Sequence, residues 1–201
     1  MSDPHSVGEI LDSLQQLAKR ERSVSIGDIV EAFGNRSYGP FLIVPALIEL
    51  SPIGGIPGLP TALAAIIALF AVQMLIGRKQ MWLPGLVKRR SIKADRLEKA
   101  SGRLRGLARF MDRWFHGRLP ALTKGPMIKL AAAIVLLLAA TVPPLELLPF
   151  ASSAPMLAIA AFGLALLVRD GVLMIVALLL SLASIALGVG LWGAGSGGIG
   201  G

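Results

Sequence analysis

The sequence predicts an all-α polytopic membrane protein whose two pseudo-repeats contain Pro/Gly-broken, re-entrant helices. Three observations predict it. The chain is 54% hydrophobic with a mean hydropathy of +0.71, above the apolar share of ordinary globular domains. Its charge is segregated: residues 78–129 carry 15 basic and 3 acidic side chains, so the rest of a chain of net charge +8 is net acidic. Its apolar runs are broken by proline and glycine in corresponding places, which a continuous core helix does not tolerate.

Residues 1–38 read as N-terminal cytosolic or interfacial helices. Val7, Ile10, Leu11, Leu14 and Leu17 recur at helical spacing. Ser25–Phe33 reads as a second short helix closed by Gly34. This stretch lacks the basic and apolar regions of a signal peptide, so insertion is expected to rely on internal segments.

Residues 39–77 form the first membrane repeat, with Glu49 as the one charged residue. A helix needs about 20 residues to cross the hydrocarbon, so this run is too long for one span and short for two with a loop. Pro52, Pro57 and Pro60, with Gly54, Gly55 and Gly58, divide it into pieces near 39–51 and 60–77. A re-entrant hairpin turning at "SPIGGIP" fits, and its backbone must be buried in a bundle or line a cavity.

Residues 78–125 form a basic segment, read as an amphipathic helix or helix pair over 88–118. Leu97, Leu104, Leu107, Phe110, Met111, Trp114 and Phe115 supply its apolar face. Basic residues concentrate in cytoplasmic loops, and the plain partners are the bilayer and its anionic headgroups. Nucleic acid is not an expected partner, because the aromatics sit at helical spacing and build no stacking platform. Residues 126–191 form the second membrane repeat, with apolar stretches near 126–143, 154–168 and 171–191. Residues 192–201 have the composition of a flexible tail.

The two repeats correspond in detail. "PIGGIP" at 52–57 matches "PLELLP" at 144–149, placing Pro144 and Pro149 as turn residues beside Pro52 and Pro57. Each repeat opens on Gly-Pro, at Gly39-Pro40 and Gly125-Pro126, and each continues into an Ala-rich helix. Paired, interrupted apolar segments of this kind mark a transporter-like architecture with a site between repeats. Small residues such as Ala62, Ala158, Ala161 and Gly163 allow close helix approach.

The stretches "AFGNRSYGPFLIVPALIELSPIGGIPGLPT", "AVQMLIGRKQMWLP" and "RDG" resemble the ExoD family of exopolysaccharide synthesis proteins over about residues 24–190. The resemblance implies a protein of the bacterial inner membrane linked to exopolysaccharide production; the positive-inside rule separately places the basic segment 78–129 of this multi-pass chain in the cytoplasm. The second motif departs from the expected pattern in carrying Glu146.

An ionisable group in a membrane segment costs about 2.5–3.5 kcal/mol to insert and is by default a site hypothesis. Glu49 is the first candidate for binding substrate or ion, with Arg36 or Arg78 as partners. Those two arginines flank the first hairpin and suit either bidentate phosphate contact or simple anchoring. Glu146 is expected in an exposed loop. Arg169-Asp170 reads as an intrahelical turn with a local ion pair, or as a contact for lipid phosphate. Gln73 suits a hydrogen bond across helices. No catalytic residue, metal site or cofactor is expected: the chain has no cysteine, and His5 and His116 lack metal-ligand spacing. "GVGLWG" at 188–193 lacks the strand and helix that a dinucleotide site needs.

These readings lead to a non-enzymatic membrane protein, transporter-like or lipid-handling, with its polar centre at Glu49. A scaffold subunit of the polysaccharide machinery is the alternative, and an ion or proton exchanger a weaker one. A homodimer is expected, since 201 residues enclose little cavity alone.

Overall fold

The computed structural model describes residues 38–77, 119–123, 125–148 and 150–196, the segments 23–25 and 91–93, and six isolated positions: Asp12, Gln15, Gln16, Asp28, Gly102 and Gly106. The described chain is mostly helical. Its helices are α1 (Tyr38–Leu50), α2 (Leu59–Leu75), α3 (Pro126–Leu145), α4 (Ser153–Val168) and α5 (Gly171–Ser196). Short 3-10 turns occupy Pro52–Gly55 and Pro120–Thr123. Two three-residue strands, β1 (Ser23–Ser25) and β2 (Ser91–Lys93), pair antiparallel with Val24 opposite Ile92.

The break expected across 52–60 is where α1 gives way to α2. Ser51 organises it: its hydroxyl donates to the Ile48 carbonyl at 2.6 Å and accepts from the Ile53 amide at 3.3 Å. Pro52 then opens the 3-10 turn, and Pro60 enters α2 in its first turn, where an amide is not needed. Gly58, at φ 85, turns the chain into α2 in a left-handed conformation that a side chain would strain. Gly54 packs so closely that a Cβ there would lie 1.8 Å from the Glu49 carbonyl oxygen. The glycine at this position is a steric requirement of the turn.

Two hairpins result, α1–α2 and α3–α4, and each packs mainly on the other: α1 on α4, and α2 on α3. α1 and α4 are antiparallel. At one end of the pair, a Cβ on Gly39 would lie 2.9 Å from the Gly163 carbonyl, and a Cβ on Gly163 would lie 2.9 Å from the Gly39 carbonyl. At the other end Glu49 meets Ser152. Small residues that let backbones touch are what drives helix association where lipid supplies no hydrophobic contrast. Phe41 of α1 stacks obliquely on Phe70 of α2, with centroids 5.1 Å apart. Leu42, Ala46, Ile67, Val135, Leu138, Met156, Ile159 and Phe162 fill the interior.

Both hairpin turns therefore lie at one end of the bundle, the tip, while Tyr38, Gly77, Lys129 and the α4–α5 turn lie at the other, the base. α5 starts at the base and returns along α4, burying Met174, Ala177, Ser181 and Ser184 at helical spacing. At 1.5 Å per residue, its 26 residues extend about 39 Å, against about 24 Å for the 16 residues of α4. Two helical segments, Pro126–Leu145 and Gly171–Gly190, are long and apolar enough to cross a membrane. α1, α2 and α4 are apolar but shorter.

Several expectations change. The ladder between β1 and β2 adds two short strands to a mostly helical chain and corrects two expected elements, since Ser25 is a strand residue and Ser91–Lys93 interrupts the helix expected over 88–118. Asp28 is helical, and its carboxylate accepts from the Ser25 hydroxyl at 2.6 Å and the Ser25 amide at 3.0 Å, so Ser25 both ends the strand and is tied to the helical residue three positions on. Arg169-Asp170 is not a turn within one helix. Arg169, at φ 52, closes α4 in a left-handed conformation, and Asp170 opens α5. Arg36, Arg78, Pro149, the tail 197–201 and nearly all of 78–118 lie outside the described residues.

Candidate functional site

The tip end gathers the two acidic residues of the hairpins. Glu49 closes α1 and is 5% exposed. Its Oε1 accepts a 2.6 Å hydrogen bond from Ser152 Oγ, at the start of α4. Its Oε2 is buried and has no hydrogen-bond partner among the described residues. A buried acceptor without a donor is costly, and native folds hold such groups at few places. Among the described residues the charged groups of the hairpins divide cleanly: Glu49 and Glu146 stand at the tip, while Lys129, Arg169 and Asp170 stand at the base.

Glu146 follows α3 and reaches the first turn of α2. Its carboxylate accepts from the Gly58 amide, from the Thr61 hydroxyl and, at 3.2 Å, from the Thr61 amide. Gly58 brings no side chain to cap α2, so a residue 88 positions later does so. The loop around Glu146 is exposed at Pro144, Leu147 and Leu148, and the Glu146 side chain, intermediate in exposure, is bonded across the hairpins.

The two contacts run in opposite directions. Glu49 ends the outgoing helix of the first hairpin and meets the return helix of the second. Glu146 ends the outgoing helix of the second and meets the return helix of the first. The sequence marked both carboxylates but not this crossing. Its one local signal is Gly58, a helix start with no capping side chain before Pro60-Thr61.

The other candidates fall elsewhere. Gln73 is buried on α2 among Phe70, Ala71 and Met74, on the bundle side of the helix. Asp170 is 1% exposed, and its Oδ1 accepts from the amides of Val172 at 2.8 Å and Leu173 at 3.3 Å, capping α5. Thr123 Oγ1 donates to the Arg169 carbonyl at 3.5 Å, tying the 3-10 turn before α3 to the base. Gly55 and Pro57 are exposed at the first tip, as is Pro144 near the second. Among the described residues no cluster of His, Cys, Asp and Glu could hold a metal ion.

These features define a helical protein of two crossed hairpins, with two segments suited to crossing a membrane. The chain belongs to the ExoD family, described as "Exopolysaccharide synthesis, ExoD", which it matches over residues 7–190. It is 26% identical over 164 residues to a protein named "Protein ExoD" from Rhizobium meliloti (strain 1021), a match covering 77% of this chain and 64% of that one. The chain thus spans less than two thirds of that relative's length. No solved structure matches it.

Proposed function

We propose that this protein is embedded in the bacterial inner membrane, supports exopolysaccharide synthesis or export as a transporter-like or lipid-handling component, and uses Glu49 as its polar centre. The single observation behind the functional reading is a buried carboxylate with one unpartnered oxygen, held where the tips of two hairpins meet. Ionisable groups at membrane depth mark pathways and sites.

The surface favours the bilayer. Val44, Leu47, Ile66, Leu69, Leu137, Leu179 and Leu182 are exposed along the helices, a pattern suited to lipid. The tips are apolar too: Ile53, Ile56, Leu147 and Phe150 are exposed, Phe150 by 88%. Much of the tip backbone is bonded internally, through pairs such as Gly54 to Ser51, Ile56 to Ile53 and Ala151 to Leu148. That is what hydrocarbon demands of irregular backbone. Starting from a common base, α5 exceeds the about 30 Å of a hydrocarbon core and α3, with 20 residues, matches it, whereas α1, α2 and α4, with 13, 17 and 16 residues, reach about 20–26 Å. The three shorter helices support re-entrant hairpins, and the opposed carboxylate contacts support an internal repeat of parallel sense. The basic segment 78–129 is placed on the cytoplasmic side, against anionic headgroups. A second copy of the chain and the polysaccharide machinery are the protein partners of this reading.

A scaffold role is the second reading. The Glu146 contact favours it, because that carboxylate is engaged in holding α2 and not directed at a ligand. The test is Glu49→Gln in cells that depend on this protein for exopolysaccharide. The site reading expects exopolysaccharide to be lost while the protein still accumulates in the membrane. Full production by the variant supports the scaffold instead.

A further inference from the structure

We propose that Glu146 is a latch that holds the two hairpin tips together, and that its release opens the tip end of the bundle. The inference goes beyond the reading of Glu49 as the polar centre, which lies at the same end of the bundle.

Ordinary helix caps are local, supplied by the residue at the helix start. Here α2 starts at Gly58, and the nearby Ser51 hydroxyl is engaged within its own turn, with Ile48 and Ile53. The α2 terminus is satisfied from the second hairpin by one side chain that receives three donors. Removing that side chain frees the Gly58 and Thr61 amides and the Thr61 hydroxyl together. It also removes a tie between tips whose other side-chain hydrogen bond, among the described residues, runs from Ser152 to Glu49. Packing alone does not replace the tie, because Gly58, Pro143, Pro144, Leu147 and Leu148 are exposed around it.

At the same end of the bundle Glu49 Oε2 is buried and unpartnered, beside the other hydrogen bond between the tips. The backbone permits a rearrangement of the tips. Gly58 at φ 85 and Phe150 at φ 63 are the left-handed points beside the two contacts, and Phe150, an exposed aromatic in that conformation, has little packing to lose. Bistable elements of this type turn a local change of contacts into a gate.

The test uses the full chain in lipid nanodiscs with one spin label on each tip, at Ile56→Cys and Leu148→Cys; the native chain has no cysteine to interfere. Distances are read by pulsed electron paramagnetic resonance. The expected result is one narrow distribution in the parent. Glu146→Gln and Thr61→Val should each add a longer, several-fold more populated component, and Thr61→Ser, which keeps the hydroxyl, should restore the narrow one. Helicity by circular dichroism separates opening from unfolding; if Glu146→Gln fails to fold, the Thr61 pair decides. A parent-like distribution in Thr61→Val, or equal broadening in Thr61→Ser and Thr61→Val, would overturn the latch. Exopolysaccharide production is not the readout, so loss of the Glu49 assignment and loss of the latch give separate results.

Discussion

Ser152 Oγ donates a 2.6 Å hydrogen bond to Glu49 Oε1, joining residues 103 positions apart and fixing the end of one hairpin against the start of the return helix of the other. The bond is buried, and its acceptor belongs to a carboxylate whose second oxygen has no partner. Ser152→Ala leaves that carboxylate with no described donor. The expected cost is about 1–3 kcal/mol, the range for a buried polar group that loses its partner. A thermal-shift measurement on the detergent-solubilised protein checks it, and Ser152→Thr, which keeps a hydroxyl, should recover part of the loss.

Gly54 offers a sharper steric prediction. A methyl group there would sit 1.8 Å from the Glu49 carbonyl oxygen, which is backbone and cannot swing away. Gly54→Ala should cost about 3 kcal/mol or more, the upper range for overpacking. Gly55, whose Cβ would meet nothing within 4 Å, is the control, and Gly55→Ala should leave the melting temperature nearly unchanged.

The crossing of α1 and α4 depends on two glycines that face each other, each carbonyl about 2.9 Å from the other residue's absent Cβ. Gly39→Ala and Gly163→Ala should each cost about 1–3 kcal/mol. Because either one already forces the helices apart, the double variant should cost less than the two single losses added together. A double-mutant cycle on unfolding free energies measures this directly.

At the base, Asp170 caps α5 through the Val172 and Leu173 amides. Asp170→Ala should destabilise by about 0.5–2 kcal/mol, as for other N-cap losses. Asp170→Asn, which keeps an acceptor oxygen, should lose less, and chemical denaturation of the two variants compares them.

Much of this architecture is legible from composition and punctuation. The breaks at Pro52–Pro60 and the apolar runs after Gly125 place four helices to within a few residues, because proline and glycine act locally on the backbone. The prominence of Glu49 is legible for the same kind of reason, since a lone charge in an apolar run stands out. Pairing is not legible in this way. That Glu146 caps α2, that Gly39 faces Gly163, and that Ser23–Ser25 meets Ser91–Lys93 are facts about residues far apart in sequence. No periodicity encodes them. Arg169-Asp170 differs again: the apolar runs already part there, but that a left-handed arginine and a capping aspartate end one helix and start the next, and are not a turn within one helix, is set by backbone conformation that composition does not show.

The membrane arrangement proposed for this protein has both hairpins entering from the basic face and ending within the bilayer, while α5 passes beyond them. Single cysteines at Ile53, Leu147 and Gly190 in the otherwise cysteine-free chain, labelled in sealed vesicles with a membrane-impermeant maleimide, test it most directly. Gly190→Cys should label from the face opposite the basic segment, while Ile53→Cys and Leu147→Cys stay protected from both faces. Labelling of the two tip positions from that opposite face as readily as Gly190→Cys would contradict it and make both hairpins ordinary pairs of spans.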